Sequence, residues 1–174
     1  MRKTFALLGL LALALPVAGV AGSSAGEGTL SIENGQGRVM LQGRGGVIGR
    51  LERGSVTIFD LTPEDANDPA VFGDDSVRLV GETGIQYAGT GLRFRLVGGG
   101  FRIAINGKGI DLSVVAKGFG QIVAAQADDP GVYSLDGADC RNERYSCKPL
   151  PENPRRFQLG VERGEKNLVR PPAS

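Results

Sequence analysis

Arg93, Arg95 and Arg102 occupy alternating positions in two apolar stretches, 92–96 and 101–105. A guanidinium is permanently charged and offers a planar fork of donors that fits carboxylate and phosphate groups. If the two stretches pair as a hairpin across Gly98, Gly99 and Gly100, the three arginines share one sheet face. Such a face could dock a cell-wall polymer, a polysaccharide or another surface protein. Arg38, Arg44 and Arg50 lie in an earlier part of the chain with the same character.

A second group is acidic: Glu64, Asp65, Asp68, Asp74 and Asp75. Calcium takes oxygen ligands from loops of this kind, and weak sites are useful where calcium is abundant outside the cell. The spacing of an EF-hand loop is absent, so a solvated helix cap and turn is the plainer explanation of the group. Calcium is the one cofactor that the sequence suggests. A third group, Asp60, Asp111, Asp136 and Asp139, offers carboxylates to a hydrolase. Glycoside hydrolysis needs two acids flanking one bond, and no motif unites these four.

Other chemistries are closed. The chain has no histidine, which removes Ser–His–Asp and Cys–His sites and histidine-ligated metals. It has no tryptophan, which weakens an aromatic sugar platform. Its glycine-rich stretches do not precede helices, so they are not phosphate-binding loops.

Residues 1–25 read as a secretory signal peptide. Arg2 and Lys3 precede an apolar run, Pro16 breaks it, and Gly19, Ala21, Ser23 and Ala25 supply small residues for cleavage. The run is shorter than the ~20 residues of a membrane span, so the mature chain is expected to lack a transmembrane segment. Secretion to the periplasm or the medium of a bacterium is the expected location. Cys140 and Cys147 then form one disulfide closing a short loop. Chain-entropy reasoning gives that ring about 2.5 kcal/mol. Residues 1–25 hold two of the 20 basic residues and none of the 19 acidic ones, so the remainder is almost neutral. Neutrality argues against nucleic acid as a partner.

The elements that must position these groups are strands. Glycine makes up 28 of the 174 residues, about twice its usual share. It punctuates short runs of alternating apolar and polar residues, the pattern of half-buried strands. Residues 26–160 are therefore expected to form a single all-β domain, with 161–174 as a mobile tail. The architecture expected is an antiparallel sandwich or barrel of short strands joined by glycine-rich hairpins. Alternation points Leu92, Phe94, Leu96, Phe101, Ile103 and Ile105 inward, and the arginines outward. Residues 62–65 have the capping chemistry of a single helical turn.

The chain also repeats itself. Arg38-Val-Met-Leu-Gln-Gly-Arg-Gly45 matches Arg102-Ile-Ala-Ile-Asn-Gly-Lys-Gly109. Counting Gly46 as an insertion extends the match from Val47 and Leu51 to Ile110 and Val114. Duplication of this kind suggests two similar β-meander halves packed with pseudo-symmetry.

The function expected is non-catalytic: an exported β-domain with a structural or interaction role at or outside the cell surface. The alternatives are a polysaccharide or cell-wall binding module using the arginine face, and a carboxylate-based hydrolase.

Overall fold

A computed structural model describes residues 28–65, 68–125 and 127–160. The signal peptide and the C-terminal tail expected from the sequence lie outside the described residues. Among the described residues the strands are all antiparallel, with a short 3₁₀ turn at Arg144–Ser146. The strands are β1 (Gly28–Asp60), β2 (Ala70–Phe72), β3 (Ser76–Val80), β4 (Gly84–Ala124), β5 (Val132–Ser134), β6 (Lys148–Pro149) and β7 (Arg155–Leu159). No helix among the described residues is long and apolar enough to cross a membrane.

Two strands of 33 and 41 residues dominate, far beyond the usual five or six. Their register explains the length. Val39 pairs with both Ile105 and Ile122, and Ile105 pairs with both Val39 and Val56. Each long strand is therefore a coil. Val39 and Val56 hold equivalent places on successive turns of β1, as Ile105 and Ile122 do on β4. Turns of β4 lie between turns of β1 and run antiparallel to them. The expected meanders are replaced by two interleaved coils.

The coil is flattened into two layers. In layer one the order is β6, β5, 28–35, 110–116, 46–51, 92–97 and β2. In layer two it is β7, 116–124, 37–45, 100–107, 53–60, 84–90 and β3. Inward side chains from both layers meet in one core, including Leu30, Val39, Leu51, Val56, Leu92, Phe101, Ile103, Ile110 and Ile122. The six positions that alternation placed inward are all buried, with Arg93, Arg95 and Arg102 outside.

Glycines expected to make hairpins lie inside continuous strands instead. At the bends the opposing backbones run too close for a side chain. A Cβ on Gly43 would lie 2.6 Å from the Lys117 carbonyl oxygen, and one on Gly118 would fall on the Gln42 carbonyl. Gly54 and Gly107 form the equivalent crossing.

That equivalence is general. The pairs Gly43–Gly118, Gln42–Phe119, Leu41–Gly120 and Val39–Ile122 have as counterparts Gly107–Gly54, Asn106–Ser55, Ile105–Val56 and Ile103–Ile58. Each β1 member of the first set corresponds to a β4 member of the second. β2 and β5 are related in the same way. Ala70, Val71 and Phe72 pair with Arg95, Phe94 and Arg93, as Val132, Tyr133 and Ser134 pair with Glu33, Ile32 and Ser31. A pseudo-twofold axis thus passes near Met40–Ala104 in layer two and near Gly49–Leu112 in layer one. The repeat read from the sequence is a real internal symmetry, but its halves are wound through each other.

Residues 62–65 form a turn rather than a helix. The Asp65 amide donates to the Thr62 carbonyl, and the Thr62 hydroxyl donates to the Asp65 carboxylate at 2.6 Å.

Candidate functional site: an arginine-lined groove

The outer face of layer one carries two rows of side chains. The first runs Ser134, Ser31, Ser113, Ile48, Arg95 and Ala70 in cross-strand order. The second runs Asp111, Arg50, Arg93 and Phe72. Glu33, the next side chain beyond Ser31 on the same strand face, adjoins the Asp111 end.

The disulfide loop builds a wall over these rows. Cys140 and Cys147 are joined, as the sequence predicts, with Cα atoms 5.8 Å apart. Cys140 is fully buried, and its amide donates to the Ser31 hydroxyl at 3.0 Å. Asp139 holds the loop by accepting from the Arg141 amide and the Asn142 side chain. Arg141 consequently overhangs the sheet. Arg50, Arg93, Arg95, Asp111, Asp139 and Arg141 line an open groove of about 630 Å³. A second hollow of about 730 Å³ continues it toward Glu33 and shares Arg50, Arg93, Asp111 and Arg141.

The charges are unequally satisfied. Arg50 donates from Nε and Nη2 to Asp111 Oδ2, at 3.1 and 2.6 Å. The Asn34 amide donates to Oδ1 of the same carboxylate at 3.0 Å. Asp111 therefore has donors on both oxygens and is fixed as an acceptor. Arg93 stands directly across from Arg50, a like-charged pairing that costs stability unless an anion is near. Among the described residues, Arg93, Arg95 and Arg141 form no ion pair.

Of the three arginines expected on one face, Arg93 and Arg95 meet here, joined by Arg50, and Arg102 does not. The expected hairpin between 92–96 and 101–105 is not formed. Gly98 and Gly99 adopt φ of 75° and 70°, and the chain passes to layer two instead of reversing. There Arg102 lies 4.2 Å over the Phe59 ring, beside the exposed Met40 and Phe119.

The acidic residues are likewise scattered. Glu64 and Asp68 are exposed, Asp65 receives the Thr62 hydroxyl, and the Thr90 hydroxyl donates to Asp75. Asp74 lies near Tyr87, whose hydroxyl pKa is raised by burial and by that carboxylate. Among the described residues, no three metal-ligating side chains come together.

Sequence reading missed Asp111, Arg141 and Phe72 as groove residues. Asp111 was legible as a candidate hydrolase carboxylate but not as the partner of Arg50, and nothing local places Arg141 over the sheet. The chain matches no protein-family model, no curated protein and no solved structure.

Proposed function

We propose that the chain is exported and acts outside the cytoplasm as a non-catalytic interaction module that holds an anionic polymer in the layer-one groove. The observation that carries this reading is the convergence of Arg93, Arg95 and Arg141 on one open groove with no ion-pair partner among the described residues. The planar guanidinium fork matches carboxylate and phosphate oxygens two at a time, which favours ligands bearing those groups. The open shape suits a polymer laid along the sheet better than a small molecule enclosed on all sides. The disulfide supports an oxidising compartment.

The test is retention on envelope fractions and soluble acidic polysaccharides. Arg93→Gln with Arg95→Gln should abolish retention, and wild-type retention should weaken as salt rises. Arg102→Gln, on the other outer face, should leave it unchanged. Equal retention of wild type and the double variant at low salt would sink the proposal.

A further inference from the structure

The layer-one groove is centred on the pseudo-twofold axis, and its two ends are related by it. Arg93 and Arg50 form a cross-strand pair, and the symmetry places Ser31 and Ser113 at the matching pair. Arg95 has Glu33 as its counterpart. The two ends of one groove therefore carry opposite chemistry at equivalent positions. One end offers Arg93, Arg95 and the exposed ring of Phe72; the other offers the hydroxyls of Ser31 and Ser113 and the Glu33 carboxylate.

Glu33 carries a further mark. Its Oε2 is buried with no hydrogen-bond partner among the described residues. A carboxylate oxygen without a donor is costly, and the cost falls when a donor arrives. The Asn34 amide beside it donates to Asp111 instead. Glu33 lines the second hollow, and its carboxylate thus lacks a donor that a ligand could bring.

Resting on the anionic-polymer reading above, we infer that the ligand is a carboxylated glycan bound in one direction, its acid group on Arg93 and Arg95 and its hydroxyls on Glu33. A bare polyanion has no donor for Glu33 and is repelled by it. A neutral glycan can accept hydrogen bonds from the arginines but leaves their charge unpaired. A sugar acid has both groups, and its C–H face can lie on Phe72, which is 66% exposed opposite Arg93.

The experiment compares two probes on the purified protein by affinity electrophoresis. Polygalacturonate carries carboxylates and hydroxyls; long-chain polyphosphate carries charge without hydroxyl donors along its chain. Wild type should bind polygalacturonate at least tenfold more tightly than polyphosphate. Glu33→Ala should weaken polygalacturonate binding about tenfold, the effect of one charged hydrogen bond, and leave polyphosphate binding the same or stronger. Glu33→Gln keeps an acceptor and should recover most of the loss, and thermal melts of both variants confirm that they are folded. Equal weakening on both probes, or none on either, overturns the directional glycan while leaving the anionic groove. If wild type binds neither probe, and the Arg93→Gln, Arg95→Gln variant behaves identically, the groove reading fails and this inference fails with it.

Discussion

Gly54 and Gly107 stand opposite each other in layer two, and neither position has room for a side chain. A Cβ on Gly54 would fall on the Asn106 carbonyl oxygen, and one on Gly107 on the Arg53 carbonyl. The obstacle is main chain, which cannot rotate away. Gly54→Ala should therefore cost about 3 kcal/mol or more in a denaturant melt, and Gly118→Ala, at the equivalent crossing, a similar amount. Gly81 supplies the control. It has φ of 65° but open space around it, so Gly81→Ala should cost only about 1–2 kcal/mol. Equal losses at all three sites would mean that backbone conformation, not the crossing, sets the requirement.

The core makes a contrasting pair of phenylalanines. Phe101 is 2% exposed, whereas Phe119 is 56% exposed. Phe101→Ala should cost roughly 3–5 kcal/mol, and Phe119→Ser should stay within about 0.5 kcal/mol. Thermal melts decide this, and a reversal of the two would mean that the strand faces are inverted.

Breaking the disulfide should loosen one wall of the groove without unfolding the domain. Cys140→Ser with Cys147→Ser is expected to lose about 2–3 kcal/mol, the entropy of a short ring. Circular dichroism should retain the β signature. In the unreduced wild type, mass spectrometry after alkylation should find both thiols blocked; two labelled thiols would contradict the bond.

The Arg50–Asp111 pair is half in solvent. The arginine side chain is 62% exposed and the aspartate 12%. A double-mutant cycle with Arg50→Ala and Asp111→Asn should give a coupling of about 1 kcal/mol or less, falling as salt is added. Asp111→Asn alone should cost more than Arg50→Ala, because it also weakens the acceptor of the Asn34 amide. A coupling of several kcal/mol would mean that the pair is shielded from water.

The faces of the strands were legible because alternation is local. Leu92, Phe94 and Leu96 declare their inward side within one short stretch. The bends were not legible. A glycine pair such as Gly45-Gly46 looks the same whether the chain reverses there or continues past a close neighbour, and the neighbour, Ala116, lies far along the chain. The recurrence of 38–45 at 102–109 was readable, but winding one copy through the other leaves no mark on either. Phe72 and Phe119 are apolar yet exposed, since strand position rather than residue type decides their side. The groove was half visible. Arg93 and Arg95 follow from alternation, but their meeting with Arg50 depends on long-range register, and Arg141 arrives on a loop tied to Ser31.

The interleaving bears on how such a chain arose and how it must fold. Even the partners nearest in sequence on the β1–β4 ladder, Phe59 and Gly84, have β2 and β3 between them, and the ladder extends to Gly28 with Ala116. No turn of either coil can close before the other is present, so native structure waits for nearly the whole domain to emerge, and folding is expected to be slow. The same geometry constrains ancestry. A gene encoding only one copy of the repeat would have made a strand with no mate in its own chain. Its product could have been stable only by entwining with a second identical molecule, and fusing two such genes would turn that obligate pair into a monomer.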